Sequence, residues 1–257
     1  MAMTETMNAP IAALADARMQ RPRRQWIVAL KALRRLLADK EDTGQVFEIM
    51  GALNGDSTMK SYRRLLQTPN GGRLAYVRVE LAERLMDDAW LDSFAAGTVG
   101  AAYRDFVRSE NLSADGLAEI SRQRQSKAEQ PHPHAWFGRR IRDSHDIWHI
   151  LSGYHRDGLG EACLVAFSYA QTGSLGWAVI ALGAALRSRA GRAGYPYIRA
   201  IWQGYQRGKA AKWLSGEDYE QLMSEPLDAA RRRLNITPAT LYNAIPSADR
   251  DEALPKG

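Results

Sequence analysis

Apolar residues recur at intervals of three and four along most of the chain, which is the period of an amphipathic α-helix. One such stripe comprises Trp26, Leu30, Leu33 and Leu37, and another comprises Leu74, Val77, Leu81 and Leu85. Alternating runs typical of β-strands are nearly absent. Breaks fall at glycine and proline clusters near residues 54–56, 68–72, 131–133, 158–160 and 193–196. The pattern therefore predicts an all-α protein of about ten helices.

The same pattern shows no internal repeat and no linker between parts of different composition. We therefore predict one all-α domain over residues 21–245, flanked by a flexible N-terminal tail (1–20) and a flexible C-terminal tail (246–257). The longest apolar run, LGWAVIALGAAL at residues 175–186, is shorter than the roughly 20 residues that an α-helix needs to cross a bilayer. An integral membrane protein is not expected.

Composition narrows the chemistry further. With a single cysteine, Cys163, the chain forms no intrachain disulfide and no metal site of the CxxC type. The net charge is +6, and arginines cluster at residues 18–35 and 187–192. Such clusters attract phosphate groups or form a solvated helix face. Because no aromatic and basic motif accompanies them, we expect no nucleic-acid partner.

The strongest chemical pattern lies in residues 143–163, DSHDIWHILSGYHRDGLGEAC. His145 and His149 are four residues apart, so on a helix their imidazoles project from one face and can share a metal. Two histidines at this spacing also occur without a metal. Here Asp146 lies between them, and glycines at 153, 158 and 160 predict a turn that brings Glu161 back.

The predicted ligand set is therefore His145, Asp146, His149 and Glu161, with room left for water or substrate. That is typical of a catalytic metal site more than of a closed structural one. Such a set suits Zn²⁺ and, alternatively, Fe²⁺. Asp146 is either a ligand or a group that orients a histidine, because adjacent residues on a helix point about 100° apart.

The motif H-D-I-W-H, followed by eleven residues and Glu161, resembles the signature of the coenzyme Q biosynthesis protein 4 family. Further similar stretches are EDTGQVFE at 41–48, GTVG at 97–100 with Tyr103, and Gly160 and Glu161 leading to QTG at 171–173. The resemblance spans residues 26–238. It implies an all-α fold, a zinc ion at the four positions named above, and a role in ubiquinone biosynthesis.

The resemblance also implies an activity and partners. The expected reaction is removal of the C1 carboxylate from a polyprenylated 4-hydroxybenzoate, with or without hydroxylation of the same carbon, by a carbon–carbon lyase whose catalytic residues are His145, Asp146, His149 and Glu161. The expected setting is a membrane surface, among other ubiquinone biosynthetic enzymes. The apolar helix at 177–186 would line the prenyl tail, and Arg187 and Arg189 would bind a lipid head group.

The expected location and oligomeric state come from the first residues of the chain and from general experience with oligomers. The first residues lack the Arg- and Ser-rich pattern of a mitochondrial presequence, so we expect a bacterial cytoplasmic protein, peripheral to the inner membrane. A homodimer is expected because two-fold dimers are common.

Two other functions stay open: a non-catalytic scaffold that binds a polyprenyl lipid, and a zinc hydrolase. The hydrolase ranks last because the motif has no glutamate between the histidines to act as base.

Overall fold

The computed structural model describes residues 23–39, 42–109, 133–191 and 194–254, and within these ranges the chain forms sixteen α-helices, three short 3₁₀ helices and no strand. The all-α class is confirmed. The number of helices exceeds the ten or so predicted. Many helices have only four to seven residues, which is too short for apolar periodicity to distinguish them from their neighbours. The predicted N-terminal tail, 1–20, lies outside the described residues.

The helices follow in this order. The first seven are α1 Trp26–Ala38, α2 Thr43–Leu53, α3 Ser57–Leu65, α4 Gly71–Val77, α5 Leu81–Leu85, α6 Asp88–Asp92 and α7 Val99–Ser109. The next five are α8 Pro133–Asp143, α9 His145–Ser152, α10 Gly158–Thr172, α11 Leu175–Arg187 and α12 Tyr197–Ala210. The last four are α13 Tyr219–Leu222, α14 Leu227–Arg233, α15 Thr240–Asn243 and α16 Ser247–Arg250. The 3₁₀ helices are Ser188–Ala190, Leu214–Gly216 and Asp251–Ala253.

The second apolar stripe is divided between two helices. Its first two residues lie on α4 and its last two on α5, because Arg78 adopts the left-handed conformation, with φ 50°, and ends α4. The spacing of the stripe continues across this break. Periodicity alone therefore predicts one helix where backbone geometry makes two.

Helix α10 is the centre of the molecule. It packs along α12 at very short range, because Gly204 and Gly208 face its backbone. A Cβ on Gly204 would lie 2.4 Å from the carbonyl oxygen of Cys163, and one on Gly208 would lie 2.6 Å from that of Phe167. Only glycine permits this approach, so the two helices are fixed in register by backbone contact. Cys163 is completely buried between them.

Helices α1, α2 and α11 form an outer layer on the other side of α10. Gly183 of α11 lies against Leu33 of α1, and Gly176 lies against Met50 of α2. Both α1 and α11 also expose large apolar residues: Ile27 is 73% exposed and Leu30 56%, while Leu182 is 61% and Leu186 52%. Within the described residues, no helix is long and apolar enough to span a membrane.

The C-terminal segment differs from the flexible tail predicted from residue 246. Residues 247–253 form α16 and a 3₁₀ turn, and Ala253 is completely buried. The carboxylate of Asp251 accepts a hydrogen bond from the backbone N–H of Gly158, at 2.9 Å. The polar composition of this segment suggested disorder, but the buried Ala253, the bond to the start of α10 and hydrogen bonds from the hydroxyls of Tyr195 and Tyr197 to Asp249 hold it in place.

Candidate metal centre

Two histidines project from α9, a helix whose apolar face is completely buried. Ile147 and Leu151 have no exposed surface, and the indole N–H of Trp148 donates to the hydroxyl of Tyr219 at 2.7 Å. His149 is 2% exposed and His145 is half-buried. The imidazole rings lie 5.2 Å apart between centroids, nearly perpendicular to each other. The four-residue spacing thus places both on one side of the helix, as predicted.

The turn after α9 returns the chain as the glycine spacing predicts. Gly153 has φ 75° and its N–H donates to the carbonyl oxygen of His149 at 2.8 Å, which ends α9. Helix α10 begins at Gly158, where the Asp157 carboxylate accepts from the Gly160 N–H at 2.8 Å. A Cβ on Gly160 would lie 2.0 Å from the carbonyl oxygen of His155, so this position requires glycine.

Glu161, on the first turn of α10, meets both histidines. Its Oε1 lies 3.4 Å from Nε2 of His149, and its Oε2 lies 3.8 Å from Nε2 of His145. One ligand atom from each of the three residues falls within 4.8 Å of the other two. The described residues thus bring together two imidazole nitrogens and a carboxylate, a donor set that suits zinc or ferrous iron.

The orientation of His149 fits metal binding. Its Nδ1 lies 2.9 Å from the carbonyl oxygen of Tyr154, which only a protonated Nδ1 can bond. This bond leaves Nε2 facing Glu161. A backbone carbonyl that fixes the imidazole in this way is a common partner of metal-binding histidines. The fit therefore rests on the orientation of His149 as well as on the choice of donors.

Electrostatics keep the Glu161 carboxylate ionised. Burial alone raises its pKa, but hydrogen bonds and charge from His145 and His149 outweigh burial and hold the pKa well below the usual range. For His149, burial alone lowers the pKa, and the hydrogen bond and charge of Glu161, with smaller help from Asp146, raise it above the usual value. Without a metal, the Glu161 carboxylate thus stabilises positive charge on His149, at the position where a cation would bind.

The fourth predicted ligand, Asp146, does not join the three-donor cluster among the described residues. It is half-buried, and its negative charge acts on His149 and on Tyr103 of α7. Burial, and then the charges of Asp146 and Asp143, raise the pKa of Tyr103 far above its usual range. The structure thus favours the interpretation that Asp146 acts through its neighbours.

Three further residues surround the cluster. The indole of Trp177 stacks on His145 with centroids 5.5 Å apart and planes 3° apart, and Phe106 stacks on His149 at 5.6 Å. The guanidinium Nε of Arg156 lies 3.9 Å from Oε1 of Glu161. Sequence reasoning proposed Trp177 only as a wall for a prenyl tail and missed Phe106 and Arg156. Arg156 lies inside the motif segment, which was a signal for it, whereas Phe106 had none.

Fold and cluster together define an all-α protein with a candidate metal centre of two histidines and one glutamate at a helix–turn–helix. The chain belongs to the family described as Coenzyme Q (ubiquinone) biosynthesis protein Coq4, whose model matches residues 18–240. Membership assigns the chain a role in ubiquinone biosynthesis.

Individual relatives agree with this assignment. The ubiquinone biosynthesis protein COQ4 homolog, mitochondrial, of Rattus norvegicus is 27% identical over 191 residues, which cover 74% of this chain and 70% of the relative. The Neurospora crassa ubiquinone biosynthesis protein coq-4, mitochondrial, is 26% identical over 190 residues, covering 73% of this chain and 52% of the relative.

A solved crystal structure shows the same fold. This protein from Nostoc punctiforme, named for ubiquinone biosynthesis, aligns with a TM-score of 0.55 at 22% identity, and the alignment covers 83% of this chain and 99% of the other.

Proposed function

We propose that His145, His149 and Glu161 bind one divalent cation, Zn²⁺ or alternatively Fe²⁺, and that this site removes the C1 carboxylate from a polyprenylated 4-hydroxybenzoate. The observation that carries the proposal is the convergence of the three donors within 4.8 Å at a turn that only Gly160 permits. Asp146 is proposed as a supporting group, because its charge acts on His149 and Tyr103.

The residues around the cluster suit an aromatic acid. Trp177 and Phe106 stack on the two histidines and offer ring faces beside the donors. Arg156, next to Glu161, offers a cation for the substrate carboxylate. Burial and two nearby carboxylates raise the pKa of Tyr103 still further above neutral pH, so its phenol keeps its proton.

The proposed reaction breaks the bond between ring carbon C1 and the carboxylate. The electron pair stays on the ring, and a proton takes the place of CO₂. In the oxidative form, C1 gains a hydroxyl instead, and the reaction consumes dioxygen and two electrons from a reductant. The chemistry supplied by a bound cation would be Lewis-acid stabilisation of negative charge on a substrate oxygen.

A membrane surface suits the exposed apolar residues of the outer layer. Ile27 and Leu30 of α1 lie beside exposed Lys31 and Arg34, and Leu182 and Leu186 lie on the neighbouring α11. Apolar side chains with basic neighbours are typical of proteins that bind anionic lipid surfaces. We propose that this outer layer binds the membrane while the polyprenyl tail of the substrate stays in lipid. The curated relatives named above are mitochondrial proteins.

The test combines metal analysis with product analysis. Elemental analysis of the purified protein should find about one zinc or iron per chain, and mass spectrometry should identify any co-purified prenyl lipid.

His145→Ala, His149→Ala and Glu161→Gln should each lose the metal and C1 decarboxylation while staying folded. His155→Ala is the matched control, because His155 is exposed and outside the cluster. Full decarboxylation by metal-free protein would overturn the proposal. The atom found at C1, hydrogen or oxygen, distinguishes the two forms.

The second candidate is a non-catalytic scaffold that binds a polyprenyl lipid and assembles biosynthetic enzymes. The observation that favours it is that α1 and α11, which contact each other through Leu33 and Gly183, both expose large apolar side chains beside that contact. Under this hypothesis, Glu161→Gln protein should still restore ubiquinone synthesis in cells lacking the native protein. Loss of ubiquinone in that experiment supports the catalytic function instead.

A further inference from the structure

The C-terminal end of α9 is held by two arginines from distant helices. The last carbonyl oxygens of a helix have no partner within the helix. Here Arg231 of α14 donates to those of Ile150 and Leu151, at 2.8 and 3.1 Å. Arg207 of α12 donates to that of Ser152 at 2.7 Å. Both guanidinium groups carry positive charge at the negative end of the helix dipole, which is the favourable arrangement.

Arg207 contacts more than the helix end. It is 5% exposed, and its guanidinium lies over the ring of Tyr154, 4.8 Å from the centroid. Its Nε donates to the carbonyl oxygen of Thr237 at 2.9 Å. Arg207 therefore binds both residues that flank Gly153, namely Ser152 through a hydrogen bond and Tyr154 through a cation–π contact.

The carbonyl oxygen of Tyr154 is the group that fixes His149. Because it lies 2.9 Å from Nδ1 of His149, a movement of the turn at Gly153 that breaks this bond would free the imidazole to change its tautomer and the direction of Nε2. Gly153 has φ 75° and gives this turn little rigidity of its own. The guanidinium of Arg207 contacts the residue on each side of this glycine.

We propose that Arg207 is a positioning residue for the metal site: it fixes the Ser152–Tyr154 turn so that the Tyr154 carbonyl holds His149 with Nε2 toward Glu161. The proposal rests on the metal-binding function proposed above. Arg231 holds the same helix end through Ile150 and Leu151 and pairs with Asp228 of its own helix, so it serves as a comparison within the structure. A lysine keeps the charge but loses the planar fork of donors that reaches several partners.

The experiment compares Arg207→Lys, Arg231→Lys and Arg233→Lys in the full chain. Arg233 pairs with Glu217 and Glu225 at the surface and controls for a general loss of an arginine. Three quantities are measured: Zn²⁺ affinity by competition with a coloured chelator, the absorption spectrum of the Co²⁺-substituted protein, and thermal unfolding without metal.

Arg207→Lys should weaken Zn²⁺ binding by about 10- to 100-fold, the usual effect of removing a group that orients a ligand, and should alter the Co²⁺ spectrum. Arg231→Lys should change the affinity much less, even where it lowers thermal stability as much, and Arg233→Lys should change neither metal property. Unchanged Zn²⁺ affinity in Arg207→Lys, or losses that simply follow thermal stability in all three, would overturn the proposal.

A second measurement needs no metal and separates this proposal from the proposed function. Long-range ¹H–¹⁵N NMR of the metal-free wild type, recorded at a pH alkaline enough for the His149 imidazole to be neutral, should show its proton on Nδ1, and Arg207→Lys should show a mixture of both tautomers. Where Arg207→Lys does not fold, Tyr154→Leu removes the ring under the guanidinium and should give the same mixture. A single Nδ1–H tautomer in the variants contradicts the positioning role, whereas a wild type that binds no metal contradicts only the metal site.

Discussion

The region around α9, α10 and α12 and the outer layer of α1, α2 and α11 are held by different kinds of contact. In the first, distant side chains bond to backbone groups, as Arg207 does to Ser152, and glycines bring backbones together at short range. In the second, chiefly apolar side chains pack, and one side of α1 and α11 exposes large apolar residues. Directional contacts fix the positions of atoms, whereas apolar packing mainly supplies burial. The difference suits a precise site beside an adaptable surface.

The largest effect is expected from a substitution at Gly160, in the region of the site. A Cβ there would lie 2.0 Å from the His155 carbonyl oxygen, and the atoms it meets are backbone, which cannot move aside as a flexible side chain can. Gly160→Ala should therefore lower the free energy of unfolding by about 3 kcal/mol and displace Glu161 from the histidines. Chemical denaturation measures the first effect and Zn²⁺ titration the second. Retained zinc affinity would show that the short approach does not fix the site.

Acid should loosen the support of α9 through Glu220 of α13, because the adjacent Tyr219 accepts the hydrogen bond from Trp148 of α9. Arg140, 2% exposed, donates two hydrogen bonds to this carboxylate, at 2.9 and 2.8 Å. Burial alone raises the pKa of Glu220, but the bonds and charge of Arg140 outweigh it and lower the pKa. A lowered folded-state pKa adds stability above the unfolded-state value of 4.5, and that stability is lost as pH falls through the folded-state pKa.

Glu220→Gln should cost about 2 kcal/mol at neutral pH and flatten the loss of stability in acid. Denaturation between neutral pH and the acid range measures both, with Glu83→Gln, on α5 away from this pair, as a control. If the free energy of unfolding falls equally steeply with pH in the variant and the wild type, Glu220 does not cause the acid sensitivity.

Substitutions on the outer layer should weaken binding to lipid vesicles and change the stability of the fold little. Leu182→Asp and Leu186→Asp place charge on exposed positions of α11, so they should reduce cosedimentation with phosphatidylcholine and phosphatidylglycerol vesicles by about tenfold. The melting temperature should change little, since neither side chain is buried. Leu66→Asp, exposed on a different element, controls for added charge. Unchanged vesicle binding would show that this surface does not bind the membrane.

The smallest expected effect has the opposite sign to that at Gly160. Gly51 lies inside α2, and a Cβ there would meet no atom within 4 Å. Gly51→Ala should therefore stabilise the protein by about 0.5–1 kcal/mol, because alanine favours the helix and nothing must move. Thermal denaturation measures it. A destabilised variant would mean that the outer layer is packed as closely as the site.

The site could be predicted from sequence to the extent that its contacts are local. The spacing of His145 and His149, the turn glycines and Glu161 all lie within one short segment, and helical geometry converts their spacing into proximity. The all-α class follows from periodicity for the same reason. The left-handed Arg78 that divides α4 from α5 was not predictable, because arginine gives no signal for that conformation.

Long-range anchors were not predictable either. The group that orients His149 is a backbone carbonyl, which every residue carries. Arg207 and Arg231 lie far along the chain from α9 and are two of many arginines, so nothing in their type or spacing marks them. The ordered segment from Ser247 to Ala253 depends on the Asp251 capping bond, on hydrogen bonds from two tyrosines to Asp249 and on one buried alanine. Such contacts are set by tertiary packing, which a one-dimensional pattern does not contain.

The contact between Gly204 and the backbone of Cys163 has a practical consequence. The thiol has no exposed surface, and burial, reinforced by the charge of Asp157, raises its pKa well above the usual value. Alkylating reagents attack the thiolate, so the native cysteine should remain unmodified in the folded protein. A fluorophore or spin label can then be attached to one new surface cysteine without first removing Cys163, which makes distances across the molecule measurable in an otherwise native chain.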